Sequence, residues 1–362
     1  MPFWEDLYSR NQPVVGMSPM DGVTDAPFRY MVAKYGRASK PSEPGKSSKA
    51  SYQGGVDVIF TEFVSVDGLH FAEGAKKARM LKELVKARDL IKSEPSEPSG
   101  SSKSRLPFEL AQVFGNKPEF FVEAAKLVES LGFDGIDINM GCPAKNVSEN
   151  GCGAGQIRTP KLAQEIILAT KAATKLPVSI KTRIGVSSVS EMEDWIEALC
   201  EVKPANISLH GRTLKQLYQG SADWEAIGRA AEIVHKNGLH ILGNGDVASL
   251  SEAKEKVAKY GVDGVLIGRA AEGNPGIFLS ENKLSEAGDM KMRLAWAVEH
   301  AQVYEQVFKP QNPTPDDVRW FLPMRKHLAW YAHGFPGAAE LRTKLMKTTS
   351  AGEVESIIAL LH

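Results

Sequence analysis

The sequence predicts a (β/α)8 barrel followed by a small all-helical domain, and three observations carry that expectation. Eight short apolar runs recur at residues 14–17, 56–63, 108–114, 135–140, 178–183, 206–210, 240–243 and 264–267. None alternates apolar with polar residues, so each reads as a strand buried on both faces, as in a parallel sheet. Amphipathic stretches lie between most of them, at 118–131, 160–174, 189–202, 224–237 and 249–260. Eight strands each followed by helical sequence favour a closed barrel over an open doubly wound sheet.

Two stretches interrupt the rhythm. Residues 37–54 and 92–105 are rich in Ser, Pro, Lys and Glu, with near-identical pieces at 40–44 and 93–98. Such composition buries no core and reads as surface insertions. After about residue 282 the strands stop, and 290–308, 315–331, 338–347 and 351–361 read as helices with breaks at 310–313 and 334–337. The expected division is a barrel domain over 1–285 and a helical domain over 286–362.

Composition narrows the class. The 362 residues are 43% hydrophobic and 24% charged, the mix of a globular protein. Lys+Arg and Asp+Glu number 44 each, so a polyanionic partner requires a local basic patch. Three cysteines, Cys142, Cys152 and Cys200, are too few for a disulfide framework and suit a reducing cytoplasm. The first ten residues carry Glu5 and Asp6 and no apolar core of a signal sequence. No apolar run approaches the roughly 18–20 residues that span a bilayer. The expectation is a cytoplasmic monomer with no membrane partner and no metal.

In such a barrel the active site lies at the C-terminal ends of the strands, and polar residues gather there. The first strand ends in Ser18-Pro19-Met20-Asp21-Gly22, the third carries Gln112, and the fourth ends in Asp137-Ile138-Asn139-Met140-Gly141-Cys142-Pro143. The fifth holds Lys181 and Arg183, the sixth ends in His210-Gly211-Arg212, the seventh in Gly243-Asn244-Gly245-Asp246 and the eighth in Gly268-Arg269. Glycine-rich turns after strands seven and eight, with Arg269, fit a phosphate group or are ordinary βα turns. Lys181 and Arg183 share one strand face, and two buried cations need an anionic or electron-rich partner. The N1–O2 edge of a reduced flavin supplies one, with Gln112 on the ring; a structural ion pair with Glu62 or Asp137 is the alternative. Cys142 sits on a glycine-rich loop, 142–156, read as a movable lid, where a thiol serves as nucleophile or acid. With an ordinary thiol pKa of about 8.5 it is fit to donate a proton at neutral pH. Cys152 is its rival on the same loop, whereas Cys200 reads as a packing residue.

With these residues in view the chain resembles the tRNA-dihydrouridine synthases, most closely the bacterial B-type branch. The resemblance rests on Ser18-Pro19-Met20 with Thr24-Asp25-Ala26-Pro27-Phe28-Arg29, on Asp137 to Val147, and on Leu209-His210-Gly211-Arg212-Thr213. It continues through Asn244-Gly245-Asp246, Ile267-Gly268-Arg269-Ala270 and Met324-Arg325-Lys326-His327 with Trp330-Tyr331. It implies bound FMN, NADPH as electron donor and uridine in tRNA as substrate. It assigns Pro19, Met20, Asp21, Gln112, Lys181, His210, Asn244, Gly245, Asp246, Gly268 and Arg269 to the cofactor. It makes Cys142 the proton donor and puts Asn139 and Arg183 at the uracil.

The implied reaction delivers hydride from FMN N5 to C6 of a flipped uracil and a proton from Cys142 to C5. Arg319, Arg325, Lys326, Arg342, Lys344 and Lys347 stand against one acid, Glu340, with Trp320, Trp330 and Tyr331 among them. That cluster is expected to bind tRNA, Arg325 and Lys326 included. The rival expectation is an FMN barrel reductase of a free pyrimidine or small enone, which needs no basic helical domain.

Overall fold

The computed structural model describes residues 3–10, 12–36, 54–92, 105–279, 290–310 and 318–361. Apart from their end residues, the stretches expected as surface insertions lie outside the described residues. Eight parallel strands close into a barrel in sequence order. They are β1 (Val14–Met17), β2 (Val58–Ser65), β3 (Phe108–Phe114), β4 (Gly135–Met140), β5 (Val178–Arg183), β6 (Ile207–His210), β7 (Ile241–Asn244) and β8 (Gly264–Ile267). The barrel and the helices that follow it bear out the expected fold class. Every residue of β1, β4, β6, β7 and β8 is buried, which is why their sequences lack alternation.

Contacts divide the chain into two compact units. The first comprises Met1–Met20, Asp57–Leu84 and Pro107–Gly268 and holds all eight strands. Its floor is the N-terminal helix Phe3–Tyr8. Phe3, Trp4 and Leu7 join Val14, Val58, Phe60, Leu110, Leu242 and Leu266 in one apolar cluster. The Tyr8 hydroxyl donates to Asn206 Oδ1 at 2.7 Å, and the Tyr8 ring stacks on His240 at 3.7 Å. Local sequence sets the outer helices. Pro118 and Pro160 open Pro118–Ser130 and Pro160–Ala173, where a missing N–H does no harm. Asp223 and Ser249 cap Trp224–Lys236 and Leu250–Tyr260 through the amides of Ala226 and Glu252. The helix expected over 189–202 is instead a 3-10 turn, Val189–Glu191, and a helix, Met192–Glu201, because Ser188 and Glu191 form a capping box on the turn.

The second unit comprises Asp21–Val56, Val85–Leu106 and Arg269–His362. Its helix Ala26–Tyr35 packs on Met290–Phe308, which also meets Met324–Tyr331 and Ala351–Ala359. The helix expected over 315–331 begins at Met324: Pro323, with no N–H to continue a ladder, stands at its N-cap.

Trp4 is 2% exposed and its indole N–H has no acceptor. Trp4→Ala is expected to cost about 3–5 kcal/mol in urea unfolding, whereas Trp4→Phe, which removes the unsatisfied donor, is expected to cost far less.

Candidate active site

Strand register sets polar side chains side by side at one end of the barrel. Asn139 lies opposite Lys181, and Lys181 opposite Ser208; Arg183 lies opposite His210, and His210 opposite Asn244. Beneath this rim Asp137 is fully buried. Its Oδ1 accepts from the Ser179 hydroxyl at 2.7 Å and its Oδ2 from Gln112 Nε2 at 2.7 Å. Gln112 Oε1 then accepts from Asn139 Nδ2 at 3.0 Å, and Asn139 Oδ1 accepts the backbone N–H groups of Gly141 at 3.0 Å and Cys142 at 2.8 Å. A relay of three side chains, Asp137, Gln112 and Asn139, thus runs from a buried carboxylate to the backbone of the cysteine.

Burial raises the Asp137 carboxyl to about 6, against the pull of Gln112, Ser179 and Lys181. Burial and then Arg183 lower Lys181 to about 8, with Asp137 and Cys142 opposing. Burial likewise lowers Arg183 to about 10, opposed by Tyr218 and Cys142. At neutral pH the Asp137–Lys181 pair is therefore mostly ionised, and the Cys142 sulfur lies in the field of two cations.

Arg183 also does structural work. Its Nε donates to Gly141 O at 2.8 Å and its Nη1 to Thr213 O at 3.1 Å and Leu217 O at 3.0 Å. Arg212, absent from the sequence-based assignment, makes a two-pronged pair with Asp246 at 3.1 and 2.7 Å and holds the carbonyls of Gln219 and Gly220. Asp246, assigned to the cofactor, is thus half of an ion pair that braces the turn after β7.

The loop expected to move as a lid is packed in its second half, whereas residues 144–146 and 149–150 are exposed. Residues 152–157 are buried. A side chain on Gly153 would meet Cys142 O at 2.8 Å, and one on Gly155 would meet Ser148 O at 2.3 Å. These glycines serve close approach of backbone to backbone. Cys142 is half-buried, and its carbonyl accepts from Ala154 N at 3.0 Å. Cys152 is buried, its thiol directed at Asn150 O at 3.7 Å and pushed up to about 11 by burial and Asp67. Cys200 is buried within Met192–Glu201, a packing residue as expected from sequence.

Pro19 and Met20 follow β1, half-buried, with the Met20 sulfur 3.5 Å from the point where a Cβ on Gly268 would lie. Asn244 Nδ2 donates to Leu266 O at 2.9 Å, tying β7 to β8. Gly245 adopts φ +125, and a Cβ there would strike Ala222 at 2.5 Å and the His210 ring at 3.1 Å, so only glycine fits.

Four assigned residues belong to the second unit. Asp21 and Arg269 are exposed. A Cβ on Gly22 would lie 2.8 Å from Lys326 Nζ, and Arg269 and Lys326 both act on the Glu272 carboxyl. Arg325 donates to Thr348 O at 2.9 Å and Lys347 O at 3.2 Å. Arg319, Arg342, Lys344 and Lys347 are exposed, with Lys344 paired to Glu340 at 2.9 Å. Trp330 is half-buried, whereas Tyr331 is fully buried against His300, which removes it as a stacking surface.

A parallel (β/α)8 barrel with a cysteine, two cations and a wired carboxylate at its strand ends has the make-up of a barrel enzyme. The family model for dihydrouridine synthase (Dus) matches residues 16–361, and the chain belongs to that family. A probable tRNA-dihydrouridine synthase of Staphylococcus aureus (strain COL) is 34% identical over 359 residues, 98% of this chain and 94% of that protein. Probable tRNA-dihydrouridine synthase 2 of Bacillus subtilis (strain 168) is 32% identical over 359 residues, 98% of this chain and 95% of that one. Among solved structures, morphinone reductase in complex with tetrahydroNAD superposes with a TM-score of 0.48 at 12% identity, covering 77% of this chain and 87% of that chain. The old yellow enzyme homologue from Zymomonas mobilis gives 0.46 at 11%, covering 77% and 89%.

Asp137 binds more protons folded than unfolded between about 3.9 and about 6. Its contribution to stability is present below that window and lost as pH rises through it, by on the order of 2–3 kcal/mol. The stability difference between wild type and Asp137→Asn is expected to shrink from pH 4 to pH 6.5 in urea unfolding and then to level off.

Proposed function

We propose that this chain is a flavin-dependent tRNA-dihydrouridine synthase that uses FMN and NADPH to saturate the C5=C6 bond of D-loop uridines. The carrying observation is the cysteine on a loop wired to Asp137 beside Lys181 and Arg183, in a chain of the dihydrouridine synthase family. The donor set suits the cofactor. Lys181 is a cation lowered by burial more than Asp137 raises it, so an anionic ring edge improves its surroundings. Lys181 and Gln112 would hold the ring, with Pro19, Met20 and His210 against it. Asn244, Gly245, Asp246 and Gly268 would form the cradle beyond. When bound, the flavin supplies hydride to uracil C6, the far end of an enone conjugated to the C4 carbonyl.

The chain's own residues do the rest. Cys142 gives its proton to C5, and the thiolate left behind faces Lys181 and Arg183, which favour it electrostatically. Asn139 fixes the Gly141 and Cys142 amides and so aims the sulfur. It keeps one N–H beyond that given to Gln112 for a uracil carbonyl, and Arg183 lines the same pocket. The uracil reaches this depth only when flipped out of its stack.

Incubation of the chain with NADPH and tRNA lacking dihydrouridine is expected to yield dihydrouridine by mass spectrometry. No product from a yellow, NADPH-reducible protein would instead support a small-molecule reductase. Cys142→Ala is expected to retain flavin and its reduction by NADPH while slowing tRNA reduction about 10²–10⁴-fold, and full activity would refute the role. Replacing Arg319, Arg342 and Lys347 by Ala is expected to weaken tRNA binding and flatten its salt dependence by roughly 0.7–0.9 per lost phosphate contact. Filter binding across a salt series checks this, with flavin reduction by NADPH as the control.

A further inference from the structure

Asp25, His300 and His327 lie far apart in sequence and meet in the core of the second unit. Asp25 caps the helix Ala26–Tyr35, its Oδ1 accepting Phe28 N–H at 2.8 Å. His300 comes from the middle of Met290–Phe308 and His327 from Met324–Tyr331. The three residues are 5%, 0% and 1% exposed, and one ligand atom of each lies within 4.8 Å of the other two. Asp25 Oδ2 stands 3.6 Å from His327 Nε2, too long for a hydrogen bond.

Neither ring nitrogen of His327 has a hydrogen-bond partner, nor has His300 Nε2. A buried polar atom left so costs about 1–3 kcal/mol, and here three nitrogens of two imidazoles share the condition. The His300 Nδ1 lies 3.2 Å from the Tyr331 hydroxyl. That contact orients the ring as an outer-shell partner orients a metal-binding histidine, leaving Nε2 for an ion.

We propose that Asp25, His300 and His327 bind one first-row divalent cation, with Zn2+ the best match. Two imidazoles and a carboxylate are a zinc-type donor set. Bonds of about 2.0–2.1 Å in tetrahedral geometry separate ligand atoms by roughly 3.3–3.4 Å, close to the 3.6 Å between Asp25 and His327. The His300 ring meets the His327 ring edge-on at 4.7 Å, which keeps both imidazoles at the cluster. Phe28 lies against both rings, 5.9 Å from His300 and 5.5 Å from His327, and three protein ligands leave the fourth tetrahedral position to a water. The ion ties the start of one helix to the middle of two others.

Elemental analysis of the full-length chain, purified without chelator and again after incubation with Zn2+, is expected to give about one zinc per chain. Chelation is expected to lower Tm and Zn2+ to restore it, and His327→Ala to lose both the metal and the response. That variant also opens a core cavity, so the wild-type chain loaded with Co2+ gives an independent readout in the visible ligand-field bands of a tetrahedral site. A folded wild-type chain without bound zinc, with a Tm indifferent to Zn2+ and no cobalt bands, would overturn the site.

Discussion

An ionised carboxylate has only lone pairs, so whatever surrounds Asp137 in the barrel must point hydrogens at it. Gln112 therefore turns its NH2 inward and its carbonyl oxygen toward Asn139. Asn139 must then give its own NH2 to Gln112, which leaves its oxygen to collect the amides of Gly141 and Cys142. One buried charge fixes the sense of two otherwise ambiguous amides and, through them, the placement of the cysteine. Lys181 and Ser179 complete the shell that lets the charge persist.

The electrostatics fit the proposed chemistry in the same arrangement. Lys181 and Arg183 are both lowered by burial, and both are helped by negative charge on Cys142. In the proposed reaction, loss of the thiol proton is thus matched by a favourable change in the field around it. Arg183 cannot swing freely to meet a substrate, because it clamps Gly141 to the 213–217 segment. Arg212 does the same between Asp246 and the 219–220 segment. Two buried arginines staple separate βα loops into one rigid rim, which favours a preorganised site over one assembled by a moving lid.

Much of this was legible in the sequence. Eight apolar runs gave the strands within a residue or two, since burial on both faces leaves a plain signature. The strand-end residues of β3 to β7 lie where barrel logic placed them, because register follows from strand position. Partnerships were less legible. Asp137 and Asn139 are two apart on one strand, which puts them on one face, but nothing in spacing says that Gln112 links them. Arg212 stood in a recognised motif, yet its pairing with Asp246 depends on the neighbouring strand. Glycines at 151, 153 and 155 read as mobility, yet 153 and 155 answer demands of close packing and 151 a left-handed backbone turn. In the second unit, Tyr331 read as a stacking surface and is core, and the helix Ala26–Tyr35 joins helices from the far end of the chain. Such long-range packing leaves no local periodicity to read.

The central claim is that Asp137 acts through amide orientation on the protonation of uracil. The most direct measurement is a single turnover, in which enzyme reduced in advance by NADPH is mixed with tRNA and flavin reoxidation is followed in Asp137→Asn and wild type. The account predicts that the variant binds flavin and is reduced normally, yet is reoxidised by tRNA at least ~10-fold more slowly. Reoxidation at the wild-type rate, with flavin binding intact, would contradict it.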